Sequence, residues 1–289
     1  MNITPNDLKM TIGELLNYGF DRLSQAGISE AVLEAELLLE YALNKERIYL
    51  HLNRGQNVSE AHRQKYQSYI ADRCRHRPLQ YIVGEAEFYG LKFKADKRAL
   101  IPRPETEILV EEVLEQWQPG FHAVLDIGTG SGIIAIALAK HLASARVTAT
   151  DQSREALDLA EENIKFHGLE GRVSLAQADL YPEGSEKFDC IISNPPYIPS
   201  GQIAGLQPEV SQHEPLTALD GGPDGLDFYR RIAVALKDRL DRPALAGFEV
   251  GLGQAEMVSE ILSQALPQGE ISVKKDLAGI NRVVMIKTH

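Results

Sequence analysis

The sequence predicts an α/β fold, in which a Rossmann-like sheet of seven strands, the last one antiparallel, follows a small N-terminal helical domain and a linking β-hairpin. Three observations predict it. Apolar residues recur at helical spacing up to residue 83, the stretch EFYGLKFKA alternates like a hairpin, and beyond Pro104 short apolar strands alternate with helical segments. Such alternation builds a mainly parallel sheet that is covered by helices on both faces.

The helical domain is predicted over residues 1–83. Its first helix begins at Thr11-Ile12-Gly13-Glu14, which fits a capping box. A second helix is predicted from near Ser29 through AELLLEYAL, and a third from near Ser59. The hairpin linker then occupies residues 84–103.

The α/β domain is predicted over residues 104–289. Pro104 suits the first turn of a helix over 105–117. Strands are predicted at 122–127, 145–150, 172–177, 188–193, 244–250, 271–276 and 281–287. Only LAGI separates the last two strands, too little for a crossover helix, so these two are predicted to be antiparallel.

Composition excludes several classes of protein. No run of 18 apolar residues is present, and the first thirty residues lack the apolar centre of a signal peptide, so we expect a cytoplasmic protein without a membrane partner. The net charge of −11 is a poor match to a polyanion, so no stable nucleic-acid partner is expected. The 2 cysteines and 8 histidines show no spacing typical of metal ligands, so no metal is inferred. A monomer is also expected.

One basic stretch departs from this acidic background. RQKYQSYIADRCRHR gathers Arg63, Lys65, Arg73, Arg75 and Arg77. It is interpreted either as a solvated helix face or as a docking surface.

A glycine-rich loop follows the first predicted strand of the α/β domain. In AVLDIGTGSGIIAIALA, Gly128, Gly130 and Gly132 allow the backbone to approach a ligand at a helix N-terminus. A dinucleotide fingerprint would need a further glycine at the position of Ile133. The loop therefore disfavours a nicotinamide cofactor.

Acidic residues occur at three successive strand tips. Asp126 precedes the glycine loop and could hold a cationic end of a ligand, whereas Asp151 could accept hydrogen bonds from both hydroxyls of a ribose. Asp179 could accept from an adenine amino group, with Leu180 packing on the ring. This order suits S-adenosylmethionine, which carries an amino group and a sulfonium but no phosphate.

The fourth predicted strand ends in Asn194-Pro195-Pro196-Tyr197. The prolines withhold backbone donors and stiffen the chain, so the Asn194 side-chain oxygen and the Pro195 carbonyl form a rigid pair of acceptors. Such a pair would fix an NH₂ group and make its nitrogen more electron-rich beside a methyl donor. Tyr197 could stack on the planar group that carries this nitrogen.

Motifs over nearly the whole chain resemble those of the HemK/PrmC family, the protein-glutamine N5-methyltransferases that modify peptide chain release factors. They are EAELLLEYAL, PLQYIVGEAEFYGLKF, IPRPETEILVE, VLDIGTGSGIIAIALA, SNPPYIP, EPLTALDGGPDGLDFYRRI, FEVGLGQ and DLAGINRVV. The resemblance implies an S-adenosylmethionine-dependent methyltransferase sheet. It also implies that the methyl acceptor is the glutamine of the release factors' Gly-Gly-Gln loop, and that the N-terminal domain docks the factor.

The resemblance also implies roles for individual positions. Asn194 and Pro195 would be catalytic, and the segment Asn194–Tyr197, including Pro196, would hold the glutamine. Residues expected to contact the cofactor are Asp126, Gly128, Thr129, Gly130, Ser131, Gly132, Asp151, Asp179, Leu180 and Asn194. The segment Arg103–Glu107 would cover the active site, Glu214 and the GGPDG turn would border the glutamine pocket, and Glu249 is interpreted as a buried structural carboxylate.

Two rival functions are compatible with parts of the sequence. Adenine-N6 nucleic-acid methyltransferases also use NPPY, on a flipped base. Net acidity, the absence of a long target-recognition domain and the RPETE block count against this alternative. A cofactor-binding protein without catalysis is the second rival, and an intact NPPY argues against it.

Overall fold

The computed structural model describes residues 10–289 and divides into two compact units. The first contains residues up to 84 together with 208–213, and the second contains 85–207 and 214–289. The first nine residues of the predicted helical domain lie outside the described residues. No helix within residues 10–289 is long and apolar enough to cross a membrane.

Five helices form most of the first unit: α1 (Ile12–Gln25), α2 (Ala31–Leu43), α3 (Arg47–Leu52), α4 (Glu60–Arg73) and α5 (Leu79–Val83). The predicted capping box is present, because Thr11 Oγ1 accepts from the Glu14 amide and the Glu14 carboxylate accepts from the Thr11 amide. Ser59 caps α4 as predicted, whereas α2 begins two residues after Ser29 without a side-chain cap. The short helix α3 was not predicted.

The basic stretch is engaged within this unit. Arg73 is buried and pairs with Glu34 at 2.5 Å and with Glu209 at 2.9 Å. The other four cations contact neighbouring acidic side chains or a main-chain carbonyl: Arg63 with Glu60, Arg75 and Arg77 with Asp72, and Lys65 with the oxygen of Tyr41. This internal pairing favours a helix face over a docking surface, and the burial of Arg73 shows that the face is not solvated throughout, as the first interpretation had it.

The second unit opens with the predicted hairpin. Strands β1 (Glu85–Phe88) and β2 (Leu91–Lys94) pair antiparallel. Phe88 and Phe93 point into the core of the unit, while the charged residues that alternate along the two strands remain exposed: Glu85, Glu87, Lys92 and Lys94. This alternation is the pattern that predicted the hairpin.

Helices and strands then alternate through the second unit. In chain order they are α6 (Pro104–Gln116), β3 (Ala123–Ile127), α7 (Ile133–His141), β4 (Arg146–Asp151), α8 (Arg154–His167), β5 (Val173–Gln177), β6 (Phe188–Ser193), α9 (Pro208–Ser211, in the segment assigned to the first unit), α10 (Asp227–Arg239), β7 (Leu240–Glu249), α11 (Ala255–Ala265), β8 (Glu270–Lys275) and β9 (Asn281–Thr288). The strand order in the sheet is β5-β4-β3-β6-β7-β9-β8. Only β9 runs antiparallel to its neighbours, which confirms the predicted fold class.

Apolar layers cover both faces of this sheet. Val124 packs into a core shared with α6, α7 and α8, whereas the next residue, Leu125, packs into a core shared with α10 and α11. Successive strand residues point to opposite faces, so a sheet buried on both sides needs continuous apolar strands. The parallel strands also end in register, since Ile127 lies opposite both Thr150 and Ser193. The loops after β3, β4, β5 and β6 therefore emerge at one edge.

Candidate active site

A cavity lies at the carboxyl edge of the sheet. It is lined by residues 98–103, 127–131, 133–134, 151–153, 178–180 and 193–196, with Thr106, Ala156, Pro215, Thr217, Ala218 and Phe228. The structure thus brings together the glycine loop, the tips of β4 and β5 and the start of the NPPY loop. Three predicted site residues, Asp126, Gly132 and Tyr197, do not form part of this lining.

The glycine loop is held against the tip of β4. The amides of Gly128 and Thr129 both donate to the carbonyl of Thr150, at 2.8 and 2.9 Å. Gly128 has φ +72° and open space where a side chain would stand, so a ligand can approach its backbone. Gly132 has another function, because a Cβ there would come within 3.3 Å of the Ala160 methyl group. It allows α7 to pack closely on α8.

Asp126 lies behind the loop and is fully buried. Its Oδ2 accepts from Thr129 Oγ1 at 2.6 Å. Burial raises the pKa of Asp126 to about 7, an effect that the hydrogen bond from Thr129 offsets only in part. The side chain therefore shapes the loop from beneath, and its predicted contact with the cofactor stays a prediction.

Asp151 faces the cavity and orders the loops on either side of it. Its Oδ2 accepts from the Gly130 amide and its Oδ1 from the Ser153 amide, both at 2.9 Å. Burial raises the pKa of Asp151, and these backbone hydrogen bonds oppose the rise. Each carboxylate oxygen has two lone pairs, so each can accept one more hydrogen bond. This is what a vicinal pair of ribose hydroxyls requires.

Asp179 and Leu180 form the next part of the wall. Asp179 is exposed and its Oδ2 pairs with Arg231 at 2.6 Å, which leaves Oδ1 for another donor. Leu180 adopts φ +77°, and its carbonyl accepts from Thr150 Oγ1 at 2.6 Å. Phe228 of α10 also lines the cavity, and Arg231 lies 5.3 Å from its ring. Sequence reasoning missed Phe228 and Arg231, because nothing in a helix pattern marks which exposed side chain will face a site.

The NPPY loop presents its acceptors to the cavity. Asn194 Nδ2 donates to Thr106 Oγ1 at 3.1 Å. Across residues 10–289, no protein group donates to Asn194 Oδ1 or to the carbonyl of Pro195. Tyr197 lies behind the loop, where its hydroxyl donates to Glu249 Oε1 at 3.3 Å, and its stacking on a substrate stays a prediction.

The GGPDG turn supports the NPPY loop from behind. Ile198 exchanges hydrogen bonds with this region through the amide of Gly221 and the carbonyl of Leu219, at 2.9 and 3.0 Å. The carbonyl of Tyr197 accepts from Gln254 Nε2 at 2.9 Å. A Cβ on Gly225 would lie only 2.2 Å from the same carbonyl oxygen, so glycine alone permits this approach.

Three residues of RPETE have distinct partners. Arg103 lines the cavity and pairs with the buried Glu214 at 2.5 Å. Thr106 donates to Glu249 Oε2 at 2.6 Å, and Glu107 accepts from the amide of Tyr89 in the hairpin turn at 2.8 Å. The sequence predicted the segment but not these partners, which lie between 18 and 143 positions away.

Burial dominates the electrostatics of the two acidic partners. It raises the pKa of Glu249 to about 7, although the hydrogen bonds from Thr106 and Tyr197 act against it. It also raises the pKa of Glu214, against the opposing charge of Arg103. Both carboxyls hold parts of the wall in place, and neither is in the cavity lining.

Two family models match this chain. The PrmC N-terminal domain matches residues 14–84, and the methyltransferase small domain matches residues 104–206. The chain is similar in fold to a methyltransferase from Pyrococcus furiosus, with a TM-score of 0.50 and 17% identity over 69% of this chain and 90% of that one.

Full-length relatives are much closer in sequence. A release factor glutamine methyltransferase of Geobacter sulfurreducens is 43% identical over 275 residues, which cover 95% of each protein. One from Clostridium acetobutylicum is 39% identical over 282 residues, which cover 96% of this chain and 98% of the relative. The likeness extends over both compact units, and the chain belongs to the family of release factor glutamine methyltransferases.

Proposed function

We propose that this protein uses S-adenosylmethionine to methylate the side-chain amide nitrogen of the glutamine in the Gly-Gly-Gln loop of peptide chain release factors. The observation that carries the proposal is the pair of unengaged acceptors, Asn194 Oδ1 and the Pro195 carbonyl, on a loop braced from behind. The loop shares one cavity with the glycine loop and Asp151. An acceptor pair of this kind suits an NH₂ group.

The hydrogen-bond acceptors that line the cavity fit S-adenosylmethionine. Asp151 would accept from the two ribose hydroxyls through its free lone pairs, and Asp179 Oδ1 would accept from the adenine amino group. Leu180 would pack on the adenine ring. The open backbone over Gly128 would receive the methionine end. When bound, S-adenosylmethionine supplies a methyl group on a positively charged sulfur.

The chain's own residues then overcome the poor reactivity of an amide. The lone pair of an amide nitrogen is delocalised into the carbonyl, so the group needs orientation more than it needs a strong base. Asn194 Oδ1 and the Pro195 carbonyl each accept one N–H, which fixes the NH₂ and increases electron density on its nitrogen. The alkylated nitrogen is acidic and loses its proton to solvent or to a neighbouring acceptor.

The helical unit supplies the docking surface for the release factor. Two residues of α3, Ile48 and Leu52, are spaced four apart and are 62% and 77% exposed. Residues at this spacing share one face of a helix, so they form an apolar strip suited to a protein partner. We further propose that the protein acts as a cytoplasmic monomer without a stable nucleic-acid partner, in keeping with its net charge of −11.

A direct assay separates this function from the adenine-N6 alternative. The protein is incubated with methyl-labelled S-adenosylmethionine and either a release factor or duplex DNA, and the modified residue is identified by mass spectrometry. Label on the glutamine of the Gly-Gly-Gln loop is expected, and label in DNA alone contradicts the proposal.

Substitution of the acceptor residue tests the proposed role of the loop. Asn194→Ala is expected to lower kcat by about 10²–10³-fold, because a contact to the reacting group is lost. Cofactor affinity should change far less. Equal losses in kcat and in cofactor affinity would mean that Asn194 serves the cofactor and not the glutamine.

A further inference from the structure

Three side chains form a hydrogen-bonded chain that leads away from the cavity. Asn194 Nδ2 donates to Thr106 Oγ1 at 3.1 Å, and Thr106 Oγ1 donates to Glu249 Oε2 at 2.6 Å. Thr106 and Glu249 are only 1% and 2% exposed, so water does not compete for these hydrogen bonds. The chain joins residues from α6, from the tip of β7 and from the NPPY loop, which are far apart in sequence.

The chemistry of the three groups sets the direction of the chain. An ionised carboxylate only accepts hydrogen bonds, and a hydroxyl has a single proton to donate. While Glu249 is ionised, the Thr106 proton is committed to it, and Thr106 offers Asn194 only a lone pair. The NH₂ end of the Asn194 amide must then face Thr106, which turns Oδ1 in the other direction.

We propose that Thr106 and Glu249 are positioning residues that fix which end of the Asn194 amide faces the methyl acceptor. The proposal rests on the proposed function, since the orientation matters only if an NH₂ group binds at Oδ1. It extends the site beyond NPPY to two residues that need not touch the substrate. With the amide reversed, Asn194 would offer a donor to a group that itself donates.

Groups from several elements act on the ionisation of Glu249. Tyr197 donates to the other carboxylate oxygen, Oε1, at 3.3 Å, and Tyr229 donates to the main-chain oxygen of Glu249 at 2.7 Å. Arg282 favours the ionised form, whereas Glu105 disfavours it. Burial is the largest influence and raises the pKa of Glu249 to about 7.

Protonation of Glu249 would reverse the direction of these hydrogen bonds. A neutral Glu249 donates to Thr106 Oγ1, which frees the Thr106 proton for Asn194 Oδ1 and so removes the acceptor from the cavity. The turnover number should therefore rise as the pH rises through the region of this pKa. A residue that served stability alone would not link turnover to the ionisation of Glu249.

Three variants of the full-length protein test the proposal, each assayed with release factor at saturating cofactor. Thr106→Val keeps the shape but removes the hydroxyl, and it is expected to lower kcat roughly three- to tenfold, the equivalent of one hydrogen bond. Thr106→Ser keeps the hydroxyl and should stay within about twofold of the wild type by the same reasoning. Thr288→Val is the matched control, because Thr288 is also a buried threonine but donates to the Ala244 carbonyl at the end of β9.

The pattern across these variants decides the outcome. We expect the loss only in Thr106→Val, with unchanged cofactor affinity and without the rise in kcat through about pH 7 that is expected of the wild type. Equal kcat in Thr106→Val and the wild type, a Thr106→Ser as impaired as Thr106→Val, or an unchanged pH profile in Thr106→Val would each overturn the proposal. If the wild type itself fails to modify the release factor, the proposed function fails instead, so the two failures are distinguishable.

Discussion

Substitution of Gly225 by alanine should displace the NPPY loop without touching the cavity. Gly225 has φ +78°, and an added Cβ would stand 2.2 Å from the carbonyl oxygen of Tyr197 and 2.5 Å from Gln254 Nε2. A carbon and an oxygen in contact normally lie about 3.3 Å apart, so the two chain segments must separate by about 1 Å. The same movement breaks the hydrogen bond from Gln254 that holds Tyr197 from behind.

The expected loss follows from that displacement. A misplacement of about 1 Å at a reacting group costs on the order of 100-fold in rate, so kcat should fall by about that factor. Cofactor affinity should stay close to that of the wild type, because the glycine loop and Asp151 are held by other contacts. Steady-state transfer of labelled methyl groups to release factor measures the first quantity, and calorimetric titration of the cofactor measures the second.

A matched glycine separates this steric effect from backbone strain. Gly279 has φ +80° in the turn between β8 and β9, and an added Cβ there meets nothing within 4 Å. Gly279→Ala therefore carries the same left-handed strain, about 1–2 kcal/mol, without the displacement. Gly221→Ala, with a contact of 2.8 Å to the Pro196 carbonyl, provides a milder version should Gly225→Ala fold poorly. Similar kcat values for the variants at 225 and 279 would refute the reasoning.

Three further predictions address the cofactor site, the buried acids and the docking surface. Asp151→Asn should raise the cofactor Kd by about 10–100-fold, because an amide offers one acceptor oxygen in place of two, and an unchanged Kd in calorimetry would contradict the assigned role. The folded protein holds the Glu249 proton more tightly than the unfolded chain, so the contribution of Glu249 to the free energy of unfolding is greatest below about pH 4.5, falls by about 3 kcal/mol up to about pH 7 and is then constant. Glu249→Gln should remove this fall in stability but leave the similar fall that comes from Asp126. Urea unfolding of the wild type and the variant at pH 5 and pH 8 would measure both. The same difference in unfolding free energy between the two pH values in variant and wild type would contradict the prediction. Leu52→Ser should raise KM for the release factor by about tenfold with kcat unchanged, whereas the control Val234→Ser, at a residue that is also highly exposed, should change neither. Equal effects of the two substitutions would exclude α3 as the docking surface.

Periodicity predicted the strands of the sheet because their burial leaves a continuous apolar signal. The strand over 188–193 has the predicted bounds, and the bounds of β3, β4 and β5 differ from the predicted ones by at most one residue at each end. The start of β7 and the short helix α3 escaped this signal. In β7, the buried Leu240 is followed by the exposed residues DRP, so the apolar pattern starts only at Ala244, and α3 is a helix of 6 residues without a side-chain cap.

In the candidate site, too, some residues could be predicted from the sequence and others could not. Residues at strand tips were predictable, because parallel strands in register bring their ends together, and Asp151 and Asn194 lie where this rule places them. The positions of Asp126 and Tyr197 behind the loops could not be read from the chain, since side-chain direction depends on packing. The partners of Thr106 lie 88 and 143 residues away, and no local pattern records such a contact.

The contacts behind the NPPY loop bear on how the amide nitrogen of the substrate glutamine would be activated. The rear of the loop is fully engaged, because the Tyr197 carbonyl binds Gln254, its hydroxyl binds Glu249 and Ile198 binds the GGPDG region. Glu249 accepts from Thr106 and does not line the cavity, and Asp151 accepts from two backbone amides and keeps lone pairs for the ribose hydroxyls. In the proposed function, neither carboxylate therefore serves as the base for the bound amide. Rate acceleration would then come mainly from the rigid acceptor pair, Asn194 Oδ1 and the Pro195 carbonyl, which orients a neutral amide, and the strength of the bracing would set how much of it is retained.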